Sequence, residues 1–351
     1  MAIISIEVVT AWTTGSLIGQ KLAPASLQIT EIVSSNCKEC SSVDTAFAVI
    51  QDYPGVKVQS TDQIDSSSDK AKQLISQYKI TRVPSIIVLG EFEKYPSLDT
   101  LWDQLGGVKN NNAIIVNTEP PYLDLSTNSV KGLVTLTKIV DSSCTKCASM
   151  DPVINAFKQI GVRIKDEKTV DFSSQEAKSL ISGFSIQRIP AIVVSSDILE
   201  YRSVQRFWSQ LNATLRQGFY ALHSTTPPWI NTVTNKIEGL VTLITLTDNS
   251  CSTCYNVSLH KQILARFGVK PEEMIYDISS DKGKEYTSSY KITKAPTILL
   301  SPDASFYSSL VQAWAQVGTK ETDGWLIFRS VEVMGTYKDL TTNSIVNPQT
   351  S

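Results

Sequence analysis

The stretch Gly132-Leu-Val-Thr-Leu-Thr-Lys-Ile-Val140, Asp141-Ser-Ser-Cys144-Thr-Lys-Cys147 and, farther on, Phe184-Ser-Ile-Gln-Arg-Ile-Pro190 decides how this chain folds. The first run is short, apolar and rich in β-branched residues, which predicts a buried strand. Two cysteines follow at once. Met150, Val153, Ile154, Phe157 and Ile160 then recur at helical spacing, closed by Gly161, so the reading puts Cys144 at a helix N-terminus. A second strand near 169–172 leads into a helix that Ser173 or Ser174 can cap, with Glu176 in its first turn. After Pro190 come the strand Ala191-Ile-Val-Val194 and a helix over 203–216. The order is β, α, β, α, β, helix.

Working outward, the pattern recurs. The six cysteines form three pairs, Cys37-Lys-Glu-Cys40, Cys144-Thr-Lys-Cys147 and Cys251-Ser-Thr-Cys254, and consecutive pairs lie 107 residues apart. Unrelated residues keep nearly the same step. Tyr78-Lys-Ile-Thr-Arg-Val-Pro84, Phe184-Ser-Ile-Gln-Arg-Ile-Pro190 and Tyr290-Lys-Ile-Thr-Lys-Ala-Pro296 are 106 apart, as are Asp65, Asp171 and Asp277, and Trp102, Trp208 and Trp314. A unit of this size is a domain with its own core rather than one turn of a solenoid.

Cys-x-x-Cys opening the first helix and X-Pro opening the third strand resemble the thioredoxin-like superfamily, in the manner of protein disulfide isomerases and oxidoreductases. The resemblance covers most of each unit. It matches the cysteine pairs to the family's active-site pair, and Val83-Pro84, Ile189-Pro190 and Ala295-Pro296 to its cis-proline loop. Pro152 matches its helix-kinking proline. The resemblance implies that Cys37, Cys144 and Cys251 attack, that Cys40, Cys147 and Cys254 resolve the mixed disulfide, and that the residues at the three prolines touch a substrate peptide. No Trp precedes a first cysteine, and no Pro, Gly or His lies inside a pair. The family's buried acid corresponds to Glu31, Lys138 and Thr245, so only repeat 1 keeps a carboxyl group.

Thiol exchange needs a thiolate, and a free cysteine with pKa near ~8.5 is mostly protonated at neutral pH. Unpaired N–H groups at a helix start favour the anion. Lys146, with Lys138, is expected to make Cys144 the most acidic of the three first cysteines. Glu31 and Lys146 are thus the candidate pKa-modulating residues. The competing reading of each pair is a structural disulfide on a binding or assembly domain. A zinc site would need four ligands, and only His223 and His260 could supplement well-separated pairs, so no metal and no cofactor is implied. His260 reads as a surface residue and the three tryptophans as anchors of the last helix. Asn212-Ala-Thr and Asn256-Val-Ser fit the glycosylation pattern.

Among 351 residues, 42% are hydrophobic and 19% charged, with a net charge of -2, so the composition is that of a folded chain without a basic footprint for nucleic acid or anionic lipid. No Lys or Arg precedes Lys21, unlike a secretory signal. The abundance of Ser and Thr leans toward an extracytoplasmic protein from which any export segment is absent.

Tyr122-Leu-Asp-Leu-Ser-Thr-Asn-Ser-Val130, Trp229-Ile-Asn-Thr-Val-Thr-Asn-Lys-Ile237 and Tyr337-Lys-Asp-Leu-Thr-Thr-Asn-Ser-Ile345 alternate around a Thr-Asn turn, which predicts β-hairpins. Thr13-Thr-Gly-Ser-Leu-Ile-Gly19 is a looser copy. The chain therefore reads as α/β: three tandem thioredoxin-like domains, each a mixed central sheet flanked by helices, joined by β-hairpin connectors. The domains span 24–110, 132–218 and 239–324; connectors span 111–131 and 219–238, and connector-like hairpins 1–23 and 325–351. The expected function is thiol-disulfide oxidation or isomerisation of protein cysteines, served by a redox partner. The alternative is a scaffold that self-associates through terminal hairpin strands.

Overall fold

The computed structural model describes residues 23–348. The expected hairpin at 1–23 lies almost wholly outside them. The chain divides into two compact units, Met1–Lys131 with the first repeat and Gly132–Ser351 with the other two.

Repeat 1 runs β1 (Ala25–Val33), α1 (Asp44–Gln51), β2 (Val56–Asp65), α2 (Asp69–Gln77), β3 (Arg82–Val83), β4 (Ser85–Gly90), α3 (Pro96–Leu105), β5 (Gly107–Asn110), β6 (Ala113–Asn117), β7 (Tyr122–Asp124) and β8 (Ser129–Lys131). Repeat 2 runs β9 (Val134–Val140), α4 (Asp151–Gln159), β10 (Ile164–Asp171), α5 (Gln175–Phe184), β11 (Arg188–Ile189), β12 (Ala191–Ser195), α6 (Arg202–Trp208), β13 (Thr214–Arg216), β14 (Phe219–His223), β15 (Trp229–Asn231) and β16 (Lys236–Glu238). Repeat 3 runs β17 (Thr242–Thr247), α7 (Leu259–Arg266), β18 (Glu272–Asp277), α8 (Asp281–Ser289), β19 (Lys294–Ala295), β20 (Thr297–Leu300), α9 (Ser308–Trp314), β21 (Gly318–Lys320), β22 (Leu326–Phe328), β23 (Tyr337–Asp339) and β24 (Ser344–Val346).

Each repeat builds one five-stranded sheet in the same order: β2-β1-β4-β6-β5, β10-β9-β12-β14-β13 and β18-β17-β20-β22-β21. The first two strands in each order are parallel and the remaining neighbours antiparallel. Alternation along β1 and β4 sends Leu27, Ile29, Ile86 and Val88 to one face, against Ile50 of α1 and Leu98, Leu101 and Trp102 of α3. Ile32 and Ile87 go to the other face, against Ala71 and Leu74 of α2. A sheet covered on both sides explains why β4 reads as a continuous apolar run. This architecture makes the chain three tandem thioredoxin-like α/β domains.

The reading and the structure part at the end of each domain. The helix expected over 203–216 stops at Trp208, and a 3-10 turn over Ser209–Leu211 leads to Asn212 in the left-handed region at φ 49°. β13 and β14 then form a hairpin whose turn residues Gln217 and Gly218 both have positive φ, the geometry that suits a two-residue β-turn. The stretches expected to be connectors therefore begin with sheet strands β6, β14 and β22. Only the later parts are hairpins, β7-β8, β15-β16 and β23-β24, as the Thr-Asn turns predict.

Candidate functional site

The first helix of each repeat starts later than the spacing predicts. α1 opens at Asp44, seven residues past Cys37; α4 at Asp151, seven past Cys144; and α7 at Leu259, eight past Cys251. The cysteines instead occupy successive turns, with Cys144 N–H donating to Asp141 O at 3.1 Å and Cys147 N–H to Cys144 O at 3.4 Å. Because the helix dipole acts within the first turn, the helix start expected to favour the thiolate at Cys37, Cys144 and Cys251 does not reach them. Pro152, expected to kink the helix, sits in its opening turn, where its missing N–H is no loss.

What fixes these turns is the aspartate closing the parallel strand. Asp65, Asp171 and Asp277 accept from Ser35 N–H at 2.7 Å, Ser142 N–H at 3.0 Å and Asn249 N–H at 2.7 Å. Each also accepts from the serine two residues on, Ser67, Ser173 and Ser279. Ser173 is thereby spent, and Ser174 caps α5 by accepting from Ala177 N–H at 3.1 Å. The Ser67 hydroxyl and the Ser35 amide hold the Asp65 carboxyl well below the usual carboxylate range, and Ser173 and Ser142 do the same for Asp171. The sequence showed these aspartates recurring without assigning them a task.

All three pairs are disulfides, with S–S distances of 1.95, 2.09 and 2.07 Å. Cys37, Cys40, Cys144, Cys147 and Cys254 are half-buried. Cys251 is only 8% exposed. The Val83–Pro84, Ile189–Pro190 and Ala295–Pro296 bonds are cis. Cys40 Sγ lies 3.9 Å from Val83 O, and Cys254 Sγ 3.9 Å from Ala295 O, so sulfur and proline loop do meet. Val83, Ile189 and Ala295 are themselves buried, and each belongs to a two-residue strand paired with a hairpin: β3 with β7, β11 with β15, β19 with β23. The hairpin also grips the chain behind the second cysteine. Ser41 N–H donates to Pro121 O at 2.7 Å, Ala148 N–H to Pro228 O at 2.7 Å and Tyr255 N–H to Thr336 O at 2.8 Å.

The two residues expected to tune the thiols are otherwise engaged. Buried Glu31 accepts from Gln63 Nε2 at 2.8 Å. The Lys146 ammonium is ion-paired with Glu272, which offsets its charge before it acts on a sulfur. Lys138 pairs with Asp151 at 2.6 Å. In repeat 3 the equivalent Thr245 donates to Glu273 at 2.8 Å; burial works against the Glu273 charge, but Lys261 and Thr245 outweigh it and hold the carboxyl below its usual range.

Repeat 3 differs further. His260, expected at the surface, is buried, because its ring packs 4.6 Å from that of Phe328 and its Nε2 lies 3.0 Å from the Tyr255 hydroxyl. That hydroxyl donates to Pro296 O at 3.0 Å. Burial lowers His260 to about 4 and pushes the Tyr255 phenol well above its usual range. Lys338 of β23 reaches the cysteine turn, 3.1 Å from Asp248 and 2.8 Å from the Ser250 hydroxyl. Leu123 and Ile230 fill that register position in the other repeats.

Beside Cys147, a cleft of about 840 Å³ opens in the second unit, lined in part by Met150, Val153, Leu222, Lys270 and Tyr307. Among the described residues no cluster of His, Cys, Asp and Glu would hold a metal, and no helix is long and apolar enough to cross a membrane.

No family model and no curated protein matches the chain. Among solved structures it is similar to ERdj5 form II at 10% identity, covering 85% of this chain and 42% of that one, with a TM-score of 0.15. It is similar to human ERp44 in its zinc-bound form at 14% identity, over 79% of this chain and 80% of that one, TM-score 0.14. A protein disulfide oxidoreductase from Aeropyrum pernix k1 aligns at 16% identity over 49% and 78%, TM-score 0.14. The chain thus spans about two fifths of the length of the ERdj5 structures. At these TM-scores the fold is read from strand order rather than from superposition. Each repeat is therefore a thioredoxin-like domain with one disulfide-bonded Cys-x-x-Cys pair.

Proposed function

We propose that the chain exchanges disulfides with cysteines of other polypeptides through Cys37–Cys40 and Cys144–Cys147, and that Cys251–Cys254 is structural. The observation that carries this reading is the half-buried state of the first two pairs, set in turns beside an X-Pro strand, against the 8% exposure of Cys251. A substrate thiolate attacks Cys144 Sγ, the Cys144–Cys147 bond breaks, and Cys147 leaves with the electron pair and takes up a proton. A second substrate thiolate attacks the substrate sulfur of the mixed disulfide and releases Cys144 as a thiolate, which takes up the second proton. Two electrons and two protons have moved from substrate dithiol to the pair; the reverse reduces a substrate disulfide. Val83, Pro84, Ile189 and Pro190 are the proposed peptide contacts. The work fits an extracytoplasmic setting in which another dithiol or disulfide protein resets the pairs.

Insulin reduction by the full chain, compared with Cys37→Ser and Cys144→Ser variants, tests the reading. Turnover that falls with each substitution supports it. Full activity in the double variant sinks it. The rival reading, a scaffold with three structural disulfides, draws on the hairpins paired at every proline strand. Reduction potentials below about -300 mV for all pairs, without turnover, would establish that rival.

A further inference from the structure

In the exchange reading above a polypeptide thiol approaches along the proline strand, whose residues are its proposed contacts, and in all three repeats a hairpin of the same chain already lies there. Leu125 N–H donates to Thr81 O at 2.8 Å, Thr232 N–H to Gln187 O at 3.0 Å and Leu340 N–H to Thr293 O at 2.8 Å. Hydrogen-bonded pairs alternate along an antiparallel ladder. The next bonded pairs are then Leu123 with Val83, Ile230 with Ile189 and Lys338 with Ala295, as the register has them. These partners immediately precede the three prolines, and two of their carbonyls stand 3.9 Å from a disulfide sulfur. A peptide that docks by main-chain pairing finds this residue's N–H and C=O in use.

We infer that β7, β15 and β23 are built-in occupants of the strand-receiving edge. A cysteine on an extended polypeptide then reaches a disulfide only when the hairpin lifts, whereas a small thiol needs no such opening. The inference rests on the exchange reading above. The clamp that holds each hairpin down is a cation over an aromatic ring: Arg82 over Tyr122 at 4.6 Å, Arg188 over Trp229 at 4.1 Å, Lys294 over Tyr337 at 5.3 Å. In repeat 3 the Lys338–Asp248 pair adds a second hold.

The test uses the full oxidised chain and its Arg188→Gln variant, with pair-resolved alkylation and mass spectrometry. Reduction of Cys144–Cys147 is timed with dithiothreitol and with an unstructured dithiol peptide. The expected result is that Arg188→Gln speeds the peptide reaction roughly fivefold, the scale of one cation–aromatic contact, and the dithiothreitol reaction far less. Arg82→Gln, which removes the cation over Tyr122, gives an independent reading at Cys37–Cys40, with the same selective gain for the peptide. Equal acceleration of both reductants, or of neither, overturns the hairpin's role while leaving exchange intact. Failure of both reagents to reduce Cys37–Cys40 and Cys144–Cys147 in any chain removes the exchange reading itself, and this inference with it.

Discussion

The guanidinium of Arg188 lies 4.1 Å from the centre of the Trp229 ring, joining the strand before Pro190 to the first strand of the hairpin that follows the domain. Trp229 is also held at its edge, its indole N–H donating to Glu238 at 2.8 Å. Arg188→Ala should therefore weaken the hairpin without unfolding the sheet, lowering the free energy of local opening by about 1 kcal/mol. Native-state amide exchange at Ile230 and Thr232 measures it. Unchanged protection there would show that the contact holds nothing.

The three disulfides should differ in their rate of reduction by a common small reductant. Cys251 is 8% exposed and its turn is tied by Lys338, so Cys251–Cys254 should be reduced last. Lys338→Met leaves the Asp248 carboxylate, whose side chain is 4% exposed, without its cation. A loss of roughly 3 kcal/mol is expected, on the scale of breaking a buried pair. Partial reduction followed by alkylation gives the order, and urea unfolding gives the loss; reduction of the third pair first would contradict the assignment.

Acid should loosen the cysteine turns. Asp171 is held well below the ordinary carboxylate range in the folded chain, while an unfolded aspartate titrates near ~3.9, so the unfolded chain binds more protons once the pH falls below about 4. The contribution is complete above that pH and is lost as the pH falls toward the folded value. In Asp171→Asn the difference between urea midpoints at about pH 5 and about pH 3 should shrink. An undiminished difference would assign the acid sensitivity to other groups.

His260 works in a higher window. Burial holds its folded pKa at about 4, below the ordinary 6.5 of an exposed imidazole, so the unfolded state binds the proton first. Stability falls as the pH drops through this range, by roughly 3 kcal/mol in all. His260→Gln should flatten the profile between these values, though with its own packing loss at every pH. Tyr255, whose hydroxyl bonds both His260 and Pro296 O, is the partner whose loss would be felt with it. Parallel melting curves of variant and parent across the range would refute the assignment.

Strand and helix identities were legible because period and residue type carry them: β-branched runs for β9 and β12, a capping serine before α5, Thr-Asn turns for the hairpins. The late start of α4 was not legible. Met150 to Ile160 keep helical spacing, and nothing in that spacing says that the turn at Cys144 closes on Asp171, which is remote in sequence. β13 hides behind helical spacing that continues past Trp208, although Gln217-Gly218 marks its turn. The role of Arg82, Arg188 and Lys294 was also hidden. They recur visibly before each proline, yet their aromatic partners lie tens of residues downstream.

The sequence by itself determined that one domain design is used three times, with a cysteine pair and an X-Pro strand in each copy, since repetition and hydrophobic period are local properties. Only the tertiary structure decided what surrounds those cysteines. Which backbone groups are free, which lysine meets which carboxylate and which sulfur is covered depend on contacts between segments far apart in the chain. Here those contacts set a hairpin strand against each proline strand, and a lysine against the cysteine turn of the third repeat.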